Sequence, residues 1–184
     1  MAATTLKLSS ALRTRLPLTT TSSLRLFSHT APAPAKVPFH ISGTGTGVAQ
    51  TIKTQGSPHT ISVDAYPAFG GQDSAPSPLH YNLAALGSCT QVTGSIVAKD
   101  LGIELRDWDV SVHGILDASV LVEGKEDNGN GGNWNSIELK VKVGTDAKDE
   151  EAFQQWAQKV ERRCPVTQLF KRSGVEWRSE WRQL

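Results

Sequence analysis

Cysteine is scarce in this chain: Cys89 and Cys164 are the only two among 184 residues. So low a count excludes a disulfide-stapled scaffold and leaves buried thiols or a redox pair. Long apolar runs are missing as well, so no segment reads as a membrane span. No internal repeat is visible. Clusters of metal-ligating residues are also absent: His40, His59 and His113 have no second histidine or acid at ligand spacing and read as solvent or turn residues. The acids of EGKEDNGNGGNWN, residues 123–135, lack the spacing of a calcium loop. Gly43, Gly45 and Gly47 imitate a phosphate loop, but no helix follows them, and they read as a kinked strand. Neither a metal nor an organic cofactor is therefore expected.

Acids are absent from residues 1–63, and the first is Asp64. Residues 1–27 instead carry Lys7, Arg13, Arg15 and Arg25 among serine, threonine and leucine. That composition predicts a mitochondrial presequence cut near Phe27-Ser28, and hence a matrix protein. Residues 28–38, rich in alanine and proline, read as an extended linker. Residues 39–184 are then one domain with a single core. Without its leader the chain falls from 19 basic against 18 acidic residues to 15 against 18, a balance that argues against nucleic acid as partner.

The stretch from Ser77 to Asp100 predicts the central helix. Ser77 is an N-cap, Pro78 occupies the first helical position, and Gly102 lies just past the end. Leu83, Leu86, Thr93, Ile96 and Val97 recur at three- and four-residue steps, and Gly87, Gly94 and Ala98 form a stripe of small residues. Apolar or small on nearly every side, the helix is expected to be buried. Cys89 shares a face with Asn82, Leu86, Thr93 and Ile96.

Upstream, residues 39–63 read as a β-hairpin turning at Gly56-Ser57-Pro58, and residues 64–78 as an ordered crossing loop. Downstream, Trp108, Val110 and Val112 alternate with polar residues, as do Ile137, Leu139, Val141 and Val143, which predicts two strands each with one face in the core. Thr145 or Asp146 is a candidate cap for a second main helix, whose stripe is Phe153, Trp156, Val160 and Cys164. Pro165 breaks that helix, so Cys164 begins a shorter one, in a position that lowers a thiol pKa, with Arg162 and Arg163 beside it in sequence. Alternation from Val175 to Arg182 predicts a last strand. The class is α+β. So many apolar faces on a chain of this size imply an obligate homodimer.

LAALGSCT at 83–90, preceded by FGGQD at 69–73 and Ser77-Pro78 and followed by RRCPV 75 residues beyond Cys89, resembles the OsmC/Ohr superfamily of thiol-dependent hydroperoxide reductases. The resemblance runs from Val37 to the C-terminus. It implies an OsmC-like fold in which antiparallel sheets wrap around two central helices in an interwoven homodimer, with the crossing loop at the mouth of the site. It further implies that Cys89 attacks an organic hydroperoxide, that Cys164 condenses with the resulting sulfenic acid, and that a lipoyl- or thioredoxin-type dithiol restores both.

One departure matters. Active peroxidases of this family pair the thiolate with an arginine from the N-terminal strands and a glutamate in the first turn of the cysteine helix. Here no arginine lies between Lys36 and Cys89, and the first turn reads Leu79-His80. Three readings follow: a peroxidase in which Arg162, Arg163, His59 or His80 replaces the pair; a non-peroxidatic protein binding a small apolar ligand; and a structural protein of mitochondria that keeps the fold.

Overall fold

The computed structural model describes residues 36–125 and 131–184, so the expected presequence, its cleavage point and most of the linker lie outside the described residues. Phe39–Leu184 form one compact unit. It begins with an antiparallel sheet of β1 (Ile41–Thr46), β2 (Ala49–Thr54) and β3 (Thr60–Val63). The single hairpin expected here is corrected to three strands. Gly47, at φ 63°, turns the chain between Thr46 and its partner Ala49, so the long first arm folds on itself. Ile52 pairs with Ile61, but most side chains on both faces of this sheet are exposed.

The central helix α1 spans Pro78–Leu101 with the predicted caps: Ser77 Oγ accepts the N–H of His80, and Gly102, at φ 69°, closes the C-terminus. Within the single chain its burial is one-sided. Leu86, Gly87, Thr90, Thr93, Gly94, Val97 and Ala98 face the interior, whereas Ala84, Ala85, Ser88, Val92 and Ile96 face outward. The remainder of one chain supplies elements for one side only.

β4 (Leu105–Leu116), β5 (Trp134–Thr145) and β6 (Glu176–Gln183) form the second sheet. β4 and β5 pair antiparallel, whereas β6 runs parallel to β5, with Ile137 beside Trp177 and Val141 beside Trp181. The antiparallel expectation is thus corrected for β6. Between β5 and β6 the chain crosses over through α3 (Glu150–Arg163) and α4 (Pro165–Arg172), and such a return delivers a strand in the same sense. A short helix α2 (Ser119–Glu123) after β4 was not expected.

Asp149 caps α3, not Thr145 or Asp146. Those two side chains are engaged earlier: Thr145 Oγ1 accepts the N–H of Ala147, and Asp146 Oδ1 that of Glu104. Phe153, Trp156 and Val160 of α3 meet Val97 of α1 and the Leu139–Val143 face of β5 in the main core. There Trp108, Trp156 and Trp181 stack edge to face, with ring centroids 5.4–6.2 Å apart. Gly94 admits this cluster: a Cβ on it would come within 2.7 Å of the Trp108 ring. Two indoles hold α1, with Trp156 Nε1 donating to Gly94 O at 3.2 Å and Trp134 Nε1 to Asn82 Oδ1 at 2.9 Å.

Candidate active site

Packing α1 against α3 and α4 brings together the chain's two thiols. Cys89 is half-buried on α1, and Cys164 is fully buried at the α3–α4 junction, where its N–H completes α3 by bonding to Val160 O at 2.8 Å. Pro165 forces the break and occupies the first position of α4, which turns Cys164 into the N-cap of that helix. The two sulfurs are near enough for each to shift the ionisation of the other.

The first turn of α4 is aimed at both of them. The N–H of Thr167 approaches Cys164 Sγ at 3.5 Å, and that of Val166 favours the anion of Cys89. The positive end of a helix dipole adds to these donors. Thr93, one turn beyond Cys89, presents its hydroxyl to both sulfurs.

The two thiols respond differently. Burial pushes the Cys89 thiol up, and the neighbouring Cys164 adds to this, while the Val166 N–H and Thr93 hydroxyl offset part of it. Burial also opposes ionisation of Cys164. There, however, the Thr167 hydroxyl and N–H, the Cys89 thiol and Thr93 outweigh it and hold Cys164 below the usual thiol range. Of the two thiols, Cys164 is therefore the one whose surroundings favour its anion.

The suggested substitutes for the arginine–glutamate pair lie elsewhere. Arg162 and Arg163 point outward from the end of α3, and Arg163 Nη1 pairs with Asp100 Oδ2 at 2.5 Å. His80 sits in the first turn of α1, its Nδ1 3.1 Å from Ser77 Oγ and its ring edge-on to Tyr66. Nine residues of helix, about 13 Å of rise, separate it from Cys89. His59 is exposed in the β2–β3 turn, its N–H bonded to Ser57 Oγ. Among the described residues, none of the four hydrogen-bonds to either sulfur. Sequence reasoning missed Thr167. Its signal was the spacing, because the third helical residue after a cysteine N-cap directs its N–H back at the cap.

The crossing loop before α1 is ordered by one buried carboxylate. Asp64 accepts the N–H groups of Ala65, Gln72 and Ser74 and the Ser74 hydroxyl at 2.8–3.1 Å, and these bonds hold its pKa at about 2. Tyr66 and Phe69 of this loop line an apolar cleft of about 670 Å³ with Val48, Leu79, Leu121 and Val122; neither cysteine borders it. Among the described residues there is no cluster of three or more side chains able to hold a metal ion. No helix there is long and apolar enough to cross a membrane.

The fold recurs in 38 chains of known structure. An OsmC-like protein from Mycoplasma pneumoniae is 16% identical, with a TM-score of 0.66 over 80% of this chain and 98% of that one. An organic hydroperoxide resistance protein from Elizabethkingia anophelis is 18% identical, with a TM-score of 0.63 over 81% and 98%. The organic hydroperoxide resistance protein OhrB of Bacillus subtilis is 20% identical, with a TM-score of 0.53 over 79% and 98%. No curated protein sequence matches. The sequence pattern of the OsmC-like proteins, in contrast, matches residues 71–180, a span that contains α1, both cysteines, β4, β5 and the start of β6, and the chain belongs to that family.

Proposed function

We propose that the protein is a thiol-dependent peroxidase that reduces organic hydroperoxides through Cys89 and Cys164. The observation that carries this reading is the meeting of the two thiols, 75 residues apart in sequence, under the first turn of α4. Cys89, the more accessible, attacks the distal oxygen of the peroxide as its thiolate; the O–O bond breaks, the proton that Cys89 gave up passes to the departing alkoxide, which leaves as the alcohol, and Cys89 becomes a sulfenic acid. The Cys164 thiolate displaces hydroxide from that sulfur and forms the disulfide. A lipoyl- or thioredoxin-type dithiol returns both thiols. In this reading the N–H groups of Val166 and Thr167 do the electrostatic work of the missing arginine, and the enzyme acts in the mitochondrial matrix after loss of residues 1–27. The substrate class follows that of its structural relatives, two of which are organic hydroperoxide resistance proteins.

One equivalent of an alkyl hydroperoxide is expected to remove both free thiols of each chain and release one alcohol, as thiol titration and chromatography would measure. Two titratable thiols persisting after excess peroxide would sink the reading. The apolar cleft beside Phe69 and Leu121 would then make a small-ligand-binding protein the better account.

The working unit in this proposal is a homodimer. Val92 and Ile96 of α1 are 60% and 48% exposed beside Ala84, Ala85 and Ser88, a small-residue stripe that a second α1 can approach closely. β1–β3 has no covered face of its own, and a three-stranded sheet needs one for stability. Sedimentation is expected to give a dimer for the natural chain and a monomer for Val92→Asp; a natural chain sedimenting as a monomer refutes the assembly.

A further inference from the structure

Beyond the two cysteines, one buried hydroxyl stands at the reacting sulfurs with nothing else to do. Thr167 is fully buried, and its Oγ1 has no regular hydrogen-bond partner, although a buried hydroxyl left in that state is destabilising. The N–H of the same residue reaches the Cys164 sulfur at 3.5 Å, and the hydroxyl favours the anion of that sulfur. The second relevant fact is an asymmetry of access: Cys164 is 0% exposed, whereas Cys89 is only partly buried.

We infer that Thr167 is a catalytic residue of the reductive half of the cycle: its hydroxyl and N–H stabilise the Cys164 thiolate expelled when an external dithiol attacks Cys89. The inference rests on the Cys89–Cys164 disulfide of the proposed cycle. One thiolate of the dithiol bonds to Cys89 Sγ, the only sulfur of the pair that solvent reaches. The S–S bond breaks, and its electron pair leaves on Cys164. The second thiolate of the dithiol then attacks its own partner sulfur in the mixed disulfide, expels Cys89 as a thiolate and closes a cyclic disulfide. The two protons released by the dithiol end on the protein. Two electrons pass from dithiol to disulfide, and no further reactant is needed. Exchange is faster the more stable the departing thiolate, so donors directed at Cys164 act on this step. Attack at Cys164 would instead require a reductant to enter packed protein and would release the less stabilised sulfur.

The test uses diamide to form the disulfide, so that it does not depend on peroxide chemistry, and dithiothreitol to reduce it, with alkylation and mass analysis following the rate. Thr167→Val, which keeps the shape and N–H but removes the hydroxyl, is expected to slow reduction about tenfold, the worth of one hydrogen bond to a charged group. Thr167→Ser is expected to restore it. A monothiol such as 2-mercaptoethanol should be trapped on Cys89. Equal rates for natural protein and Thr167→Val, or an adduct on Cys164, overturn this assignment while the peroxidase stands. Failure of diamide to join Cys89 and Cys164 overturns the cycle and this step together.

Discussion

Replacing Cys89 with serine is expected to lower steady-state turnover of an alkyl hydroperoxide with a dithiol by at least about a thousandfold, since a serine hydroxyl in this position has no base able to ionise it. The N–H groups of Val166 and Thr167 and the Thr93 hydroxyl remain, but these are donors, and a donor does not take the serine proton. Cys164→Ser should behave differently. Its first turnover proceeds, and mass analysis finds one added oxygen on Cys89, because the resolving thiolate is gone and sulfenic acid accumulates. If Cys89→Ser kept full turnover, the peroxidatic role would belong elsewhere. A Cys164→Ser protein that still cycled through a disulfide would remove Cys164 from the mechanism.

The largest effect on stability is expected at Glu161, one turn before Cys164. Its carboxylate accepts from Lys171 Nζ at 2.6 Å and from Trp181 Nε1 at 2.8 Å, and its main-chain oxygen accepts from Gln168 at 3.0 Å. One residue of α3 thus fastens α4 and β6 across the Pro165 break. Glu161→Ala leaves the buried Trp181 N–H without an acceptor and Lys171 without a partner. The expected loss is about 2–4 kcal/mol, below that for a fully buried pair because the Lys171 ammonium still reaches water. Glu161→Gln, which keeps an acceptor for Trp181, should lose less.

The pH dependence of this loss has a definite sign. Burial opposes the Glu161 charge, but Lys171, Ser179 and Trp181 outweigh it and hold the pKa below its ordinary 4.5. A lowered carboxylate pKa stabilises the fold above the unfolded value, and that contribution disappears as pH falls through the folded one. Urea midpoints for the natural protein and Glu161→Ala should therefore differ most near neutrality and converge well below pH 4.5. A gap that stayed constant on acidification would assign the effect to packing alone. Asp64, at about 2, titrates in both proteins and cancels from the comparison.

Local chemistry made much of the fold readable. Ser77, Pro78 and Gly102 mark the ends of α1, the alternation of Ile137 to Val143 marks the buried face of β5, and Pro165 marks the α3–α4 break. Each of these signals is contained within a few residues. The direction of β6 is not, because its alternation is the same whichever way it pairs, and only the path through α3 and α4 decides the sense. Competition misled the expectation for the α3 cap: three acceptors stand within five residues, and the nearby backbone uses two of them first. At the site, the resemblance carried by LAALGSCT and RRCPV singled out both thiols, whereas spacing alone left each as a buried cysteine. Thr93 and Thr167 gained a role only when α1 and α4 met, because a hydroxyl has no sequence pattern that names its acceptor. The attention given to Arg162, Arg163 and the histidines reflected charge, which is easily seen in a sequence, whereas the first turn of α4 supplies neutral N–H groups.

The two indole bonds on α1 bracket Cys89 between Asn82 and Gly94. In the proposed cycle, closing a disulfide to Cys164 pulls on the helix between these two fluorophores, and the oxidation of a single pair of atoms is expected to register in real time as a change in tryptophan emission, with no label attached.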